Sequence, residues 1–135
     1  MVGGMTGRIF AAERVNEITQ PQVRNRPAFM QRAFEMRRLA IARGDRPYGA
    51  VVVKDARIIG EGISAVVTNS DPTAHAEMQA IRDAIRRFGA DETRGAELLG
   101  TSRACAMCES GAYRAGIGLM VYGDAATEAG RPQIR

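Results

Sequence analysis

The order of apolar patterns between Pro27 and Tyr122 is the strongest constraint on the fold of this chain. Proline favours the first position of a helix, and β-branched runs favour strands. In chain order the pattern predicts a helix, two strands, a helix, a strand, a helix and a strand, at 27–43, 47–54, 57–63, 73–88, 96–101, 105–115 and 117–122. A polar tail is predicted from Gly123 onward. Strands that alternate with helices after an initial hairpin predict an α/β fold, with helices covering the faces of a mixed central sheet.

The residues suited to chemistry lie in two short segments, each at the predicted start of a helix. One contains His75, the only histidine, and the other contains Cys105 and Cys108, the only cysteines. These are three soft ligands, and three protein ligands with an open fourth position are typical of a catalytic zinc site. The first turn of a helix also favours thiolates, because its backbone N–H groups carry partial positive charge. A redox pair of the thioredoxin kind, or two buried thiols, is the alternative that Cys-x-x-Cys alone leaves open.

Glu77 is the residue that distinguishes these alternatives. Positions i and i+2 of a regular helix do not share a face, so His75 and Glu77 can reach one site only in the first turn. A zinc ion there would make a water molecule acidic. A carboxylate beside it could take the proton and return it to a ring nitrogen and then to a leaving amine. The alternative role of Glu77 is to complement the helix dipole.

Composition limits the class of protein. A chain of 135 residues with 45% apolar residues can form one domain with a real core. No apolar run approaches the length of a membrane span, and the first residues lack the charged start and apolar block of a signal peptide. In such a chain two cysteines three residues apart indicate metal-binding or redox thiols in a reducing compartment. We therefore expect a cytoplasmic protein with no membrane partner.

The positive charge is dispersed. The net charge is +4, Lys54 is the only lysine, and the arginines are scattered with no tract of five or six. A basic balance raises the expectation of a nucleic-acid partner only slightly. Charge alone therefore makes nucleic acid an unlikely partner.

Residues 1–26 are predicted to be an N-terminal extension, and residues 27–135 the functional domain. The extension starts with a glycine-rich segment, and a weak periodicity from Ile9 to Ile18 predicts a short helix. The two prolines at Pro21 and Pro27 then interrupt the pattern.

From about Phe29 to Gly130 the chain resembles the cytidine deaminase superfamily, in particular its branch of guanine deaminases and tRNA adenosine deaminases. The similar segments are 47–55, 60–62, 69–77, 80–82 and 105–108. The resemblance implies a three-layer α/β/α fold with a central five-stranded sheet, one Zn²⁺ per chain, and a homodimer or a higher homo-oligomer. It implies that His75, Cys105 and Cys108 bind the zinc and that Glu77 moves the proton.

The chain departs from these relatives near the expected substrate. The family usually has Glu-Pro before the first thiol, where this chain has Arg103 and Ala104. An asparagine that contacts the base is replaced by Ser64. Guanine deaminases resemble the chain at 128–130 and then continue with a substrate-contacting Asp and a further segment, whereas this sequence stops at Arg135.

Five residues are expected substrate contacts: Tyr48, Ser64, Ala76, Ser102 and Arg103. The resemblance suggests that the ring of Tyr48 stacks on a planar heterocycle. A core aromatic of the hairpin is the alternative role for this side chain.

The resemblance implies hydrolytic deamination of a free nucleobase or a related amino-substituted N-heterocycle, such as isocytosine, cytosine or guanine, with release of ammonia. The expected partner is this small molecule. A tRNA-specific adenosine deaminase that converts adenosine to inosine is the alternative, although no basic C-terminal helix that would clamp an RNA loop is predicted. An inactive zinc-binding scaffold is a third possibility, and Glu77 argues against it because a structural zinc does not need that carboxylate.

Overall fold

The computed structural model describes residues 17–134, and these residues form a mixed sheet between two layers of helices. In chain order the elements are α1 (Arg26–Ala42), β1 (Gly49–Lys54), β2 (Arg57–Ile63), α2 (Ala76–Phe88), a 3₁₀ turn (Ala90–Thr93), β3 (Glu97–Gly100), α3 (Ala106–Arg114), β4 (Leu119–Tyr122) and β5 (Thr127–Gly130). The predicted α/β class with a mixed central sheet is confirmed.

The sheet has the strand order β2-β1-β3-β4-β5. Strand β1 pairs antiparallel with both β2 and β3, whereas β3 and β4 are parallel and β4 and β5 antiparallel. The predicted hairpin of β1 and β2 is therefore confirmed. The parallel pair β3 and β4 is joined through α3, so this helix starts at the carboxyl end of β3, where α/β folds commonly bind ligands.

Alternate residues of β1 face the two helical layers. Val51 and Val53 pack in the cluster that includes α1, while Ala50 and Val52 pack in the cluster that includes α2 and α3. This alternation is the period of two that a strand imposes on its side chains. Strand β1 lies inside the sheet and is buried on both faces, and this explains its continuous apolar sequence.

Glycines in the strands let the helices lie close to the sheet. A Cβ atom at Gly62 would collide with the carbonyl oxygen of Ala76 and the backbone nitrogen of Ala80, both in α2. A Cβ atom at Gly49 would collide in the same way with the backbone of α1. Because a backbone cannot move aside as a flexible side chain can, the first turn of α2 has a fixed position on β2.

Helix α2 begins at Ala76, three residues later than the sequence pattern predicts. The side chain of Asp71 accepts hydrogen bonds from the backbone N–H and the hydroxyl of Thr73, at 2.8 and 2.7 Å. This local bond competes with the helix and holds the segment in a turn. His75 then has extended dihedrals, φ −66° and ψ 151°, and occupies the N-cap position.

The prediction of a polar tail after residue 123 is wrong, because Thr127–Gly130 forms strand β5. All four residues are exposed and none is β-branched apart from Thr127, so the sequence carries little strand signal. The strand is held by pairing with β4 and by Arg26, whose guanidinium contacts Glu128 at 2.8 Å and Glu97 at 2.7 Å. These contacts are distant in sequence, so a local pattern could not reveal them.

The described part of the N-terminal extension lies against the sheet. Ile18 is buried, and the side-chain amide of Gln20 exchanges two hydrogen bonds of 2.8 Å with the backbone of Ile58 in the edge strand β2. The helix predicted from residue 9 falls mainly on residues 1–16, outside the described residues, and the division of the chain at residue 26 stays a prediction. Among the helices that the structure describes, none has the length and apolar character that a membrane span needs.

Candidate active site

The two segments singled out from the sequence meet where α2 and α3 begin. His75 is the N-cap residue of α2, and Cys105, with φ −73° and ψ 172°, is the N-cap residue of α3. Cys108 lies in the first turn of α3. The structure thus brings His75 together with two cysteines that follow it by 30 and 33 residues in the chain, beside the amino-terminal ends of two helices.

The three potential ligand atoms have the spacing of a tetrahedral metal site. The Nδ1 atom of His75 lies 3.6 Å from Cys105 Sγ and 3.5 Å from Cys108 Sγ, and all three atoms lie within 4.8 Å of one another. Zinc bonds of about 2.3 Å to sulfur and about 2.0–2.1 Å to nitrogen place tetrahedral neighbours roughly 3.6 Å apart. The arrangement therefore fits Zn²⁺ with a fourth position left open.

The burial of the two thiols bears on how they could bind a metal ion as thiolates. Cys108 is fully buried, and this burial raises the pKa of its thiol, with the charges of Glu77 and Cys105 raising it further. A buried thiolate next to other negative groups is unstable unless a positive ion compensates it. Cys105 is exposed, and neither cysteine forms a disulfide. A metal ion held by both sulfur atoms would compensate the charge of the thiolates.

Glu77 lies in the first turn of α2 and is 8% exposed. Burial raises the pKa of its carboxyl group, although its own backbone N–H opposes the shift by donating a hydrogen bond. A carboxyl group that is protonated more readily than usual is suited to accept and return a proton near neutral pH. Residues two apart on a regular helix do not share a face, but His75 precedes the regular helix. His75 and Glu77 can therefore reach the same site.

A cavity of about 190 Å³ opens beside these residues. His75, Cys105 and Glu77 line it together with four of the five expected substrate contacts, Tyr48, Ser64, Ala76 and Ser102. Tyr48 is 42% exposed, so its ring is not a core aromatic of the hairpin. The role of these residues as substrate contacts stays a prediction.

Arg103 lines a second, adjacent cavity of about 100 Å³. Its guanidinium carbon lies 5.6 Å from the centroid of the Tyr122 ring, a cation–π contact. The two cavities share Glu77 and Ser102 in their walls. Arg103 therefore lies next to the cavity that His75 and Cys105 line, but it does not line that cavity itself. Its substrate contact also stays a prediction.

Sequence reasoning missed three residues around the larger cavity. Arg46 and Val66 line it, and Asp45 is buried behind it. The only local signal is a charged pair, Asp45 and Arg46, directly before the first strand. Nothing in that pattern separates these residues from ordinary loop residues.

A three-layer α/β/α fold with a histidine, two cysteines and a buried glutamate at two helix starts defines a class of zinc hydrolases that act on C–N bonds. Residues 23–124 match the cytidine and deoxycytidylate deaminase zinc-binding region, and the chain belongs to this family. The expected superfamily is thereby confirmed. The ligand spacing and the family match together support Zn²⁺ as the cofactor.

The curated relatives divide between two activities. The chain is 40% identical over 80 residues to the tRNA-specific adenosine deaminase of Aquifex aeolicus, covering 59% of this chain and 53% of that protein. It is also 40% identical over 90 residues to the guanine deaminase of Bacillus subtilis, covering 66% of this chain and 58% of that protein. The match thus spans little more than half the length of either relative.

Solved structures show the same division. The crystal structure of Bacillus subtilis guanine deaminase has a TM-score of 0.69 and 38% identity, covering 76% of this chain and 68% of that one. A structure from work on A-to-I editing by tRNA:A34 deaminases has a TM-score of 0.66 and 36% identity, covering 70% of this chain and 72% of that one. These neighbours confirm the cytidine deaminase-like fold and leave the substrate open between a nucleobase and a tRNA.

Proposed function

We propose that this protein is a zinc-dependent hydrolase that deaminates a free nucleobase or a related amino-substituted N-heterocycle, such as isocytosine, cytosine or guanine, and releases ammonia. His75, Cys105 and Cys108 hold the zinc, and Glu77 is the catalytic residue. The observation that carries the proposal is that Glu77 lines the same cavity as His75 and Cys105, two of the three residues of the potential metal site.

Zinc held by His75, Cys105 and Cys108 would supply Lewis-acid chemistry, which makes water nucleophilic near neutral pH. The Glu77 carboxylate accepts one proton from that water. The water oxygen bonds to the ring carbon that carries the amino group, and Glu77 delivers the proton to the adjacent ring nitrogen. Glu77 then moves the proton of the new hydroxyl group to the amino group, so that the C–N bond breaks, ammonia leaves and a C=O group remains. The net reaction replaces a C–NH₂ group by C=O with the consumption of one water molecule. The burial that raises the pKa of Glu77 favours its protonated form midway through this sequence.

The cavity walls suit a flat, small ligand. Tyr48 supplies an exposed aromatic ring on one side, and Ala76 offers a small side chain on the helix side. Aromatic rings stack favourably on planar heterocycles, and a small residue leaves room for the second ring face. The modest volume of about 190 Å³ supports a single base as the group that enters.

Replacement of Glu77 by Gln tests the proposal. The Glu77→Gln variant should retain zinc, because Glu77 is not a ligand, and should lose a factor of about 10²–10⁴ in ammonia release, the usual contribution of general acid–base catalysis. The assay is ammonia release from a panel of amino-pyrimidines, amino-purines and aminotriazines, together with zinc content by atomic spectroscopy. The exposed Glu92, changed to Gln, is the matched control.

Two outcomes would contradict the proposal. One is a zinc-loaded wild-type protein that releases no ammonia from any compound of the panel. The other is an undiminished rate in Glu77→Gln, which would remove the proton-transfer role.

A tRNA-specific adenosine deaminase is the second candidate. It is favoured by the tRNA-specific adenosine deaminase of Aquifex aeolicus, which has the same 40% identity to this chain as the guanine deaminase. It is also favoured by Arg46, an exposed cation in the wall of the cavity that could contact a phosphate. Inosine at the wobble position of a tRNA transcript after incubation with the protein would support it. Ammonia release from free bases, without inosine formation in tRNA, would exclude it.

We also propose that the chain forms a homodimer or a higher homo-oligomer. Apolar side chains near the cavity mouth and on α1 are exposed, among them Tyr48, Val67, Leu39 and Ile41. Covering such residues is a common reason for association. The mass of the purified protein by light scattering decides this point.

A further inference from the structure

Asp45 and Ser64 form a buried hydrogen-bonded pair at the wall of the larger cavity. The hydroxyl of Ser64 donates to Asp45 Oδ1 at 2.8 Å, and the two residues are 2% and 9% exposed. Asp45 Oδ2 accepts from the backbone N–H groups of Val67 at 3.1 Å and Thr68 at 2.7 Å, and Oδ1 also accepts from the N–H of Arg46 at 2.8 Å. One carboxylate thus fastens the loop after β2 to the segment before β1.

These bonds fix the direction of the Ser64 hydroxyl. Burial alone would raise the pKa of Asp45, but the hydrogen bonds from the backbone of Thr68 and Arg46 and from Ser64 hold that pKa well below its usual range. Asp45 is therefore ionised at neutral pH, and an ionised carboxylate only accepts hydrogen bonds. A serine hydroxyl has one proton and two lone pairs. Since Ser64 donates that proton to Asp45, its hydroxyl oxygen can only accept a hydrogen bond from a ligand in the cavity.

We infer that Ser64, oriented by Asp45, selects amino-heterocycles that present an N–H donor to it. The inference rests on the proposed function, because Ser64 lines the same cavity as His75 and Glu77. A ligand with a carbonyl oxygen or a bare ring nitrogen at that edge would place two acceptors face to face. Ser64 contacts the ligand, whereas Asp45 acts through Ser64 and is a positioning residue.

Ligand binding to the zinc-loaded Glu77→Gln variant, in which the reaction should be very slow, measures this selection directly. The Glu77→Gln protein is titrated by calorimetry with isocytosine, cytosine, guanine and 2-aminopurine, which place ring N–H groups, carbonyl oxygens and bare nitrogens at different edges. The ratio of dissociation constants between the weakest and the tightest ligand is the readout. A site built to hydrogen-bond a donor rejects analogues that lack it, so we expect a large ratio in this protein.

Adding Ser64→Ala should reduce that ratio by about tenfold, because the acceptor is gone and the discrimination depends on it. Ser110→Ala, in α3 and outside the cavity wall, removes the same atom and should leave the ratio unchanged. An equal ratio with and without the Ser64 hydroxyl overturns the inference, as does the absence of binding by all four compounds.

Asp45→Asn tests the positioning role. An amide cannot accept at both of its ends, so it cannot hold Ser64 and the loop as the carboxylate does. We expect the ratio of dissociation constants to fall while zinc content is retained, a change that mere loss of stability would not produce. An unchanged ratio in this variant overturns the role of Asp45. If the variant does not fold, the Ser64→Ala comparison alone decides.

The two levels of the proposal fail in different experiments. Ammonia release by the wild-type protein decides the proposed function, and the ratio of dissociation constants decides the role of Ser64. Suppose that the wild-type protein releases ammonia but the ratio of dissociation constants is the same after Ser64→Ala. The proposed function would then be supported, and the role of Ser64 would be contradicted.

Discussion

The two helix starts that form the site are held in different ways. The start of α2 is locked into the fold, since Ala76 is fully buried and its carbonyl fits only against a glycine at position 62. The start of α3 lies at the surface, with Cys105 exposed and only Cys108 buried. One of its contacts outside the helix is with Gln133, whose N–H donates to Glu109 at 2.9 Å.

The two helix starts therefore serve the site in different ways, one by positioning the proton-transferring group and the other by supplying sulfur ligands. The α2 half carries His75 and Glu77, so the position of the proton-transferring group relative to one ligand is set by rigid backbone packing. The α3 half contributes two sulfur ligands from a short helix at the edge of the molecule. Changes in the first half should disturb fold and chemistry together, whereas changes in the second should act mainly through the metal.

The largest effect is expected from Gly62→Ala. The new Cβ would collide with the backbone of α2, and overpacking against a backbone that cannot relax should cost at least about 3 kcal/mol of unfolding free energy, with zinc content falling as His75 moves. Chemical denaturation and metal analysis measure both effects.

Gly100→Ala is the matched control in the same sheet. Its nearest new contact would be the carbonyl oxygen of Ser102 at 3.1 Å, so we expect a change below about 1 kcal/mol. Equal stability of the two alanine variants would show that the start of α2 is not held by backbone packing.

An intermediate effect should distinguish the two cysteines. Both Cys105→Ser and Cys108→Ser should lose zinc affinity. In protein treated with a chelator, only Cys108→Ser should be destabilised, by about 1–3 kcal/mol, because it places a more polar group at a fully buried position. The exposed Cys105→Ser should stay within about 0.5 kcal/mol. Equal losses in the chelated variants would contradict the different burial of the two thiols.

The smallest effect concerns the anchor of the loop before α2. Because the folded pKa of Asp45 is depressed, its contribution to stability is present above the unfolded value of about 4 and is lost as the pH falls below it. Asp45→Asn should therefore lower the unfolding temperature at pH 7, and the difference from wild type should shrink towards pH 2. Thermal unfolding across this range measures it. A difference that is constant with pH would argue against an ionised Asp45 in the folded protein.

Much of the fold follows from local patterns. The β-branched run at 51–53 predicted the first strand of a hairpin, and this prediction is confirmed, since β1 pairs antiparallel with β2. Strand β5 could not be found this way, since it depends on pairing with β4 and on the contact of Arg26 with Glu128. The start of α2 was also displaced, because the side chain of Asp71 competes with the first helical hydrogen bonds.

The sequence by itself determined which chemistry is available: a single histidine, a Cys-x-x-Cys pair and a glutamate, each at the start of a predicted helix. Those properties depend on residue type and short spacing, which a chain displays directly. Only the tertiary structure decided that three ligand atoms lie within 4.8 Å and that the proton of Ser64 is directed at Asp45. Such distances depend on how helices pack across a sheet, and packing joins residues that the sequence keeps far apart.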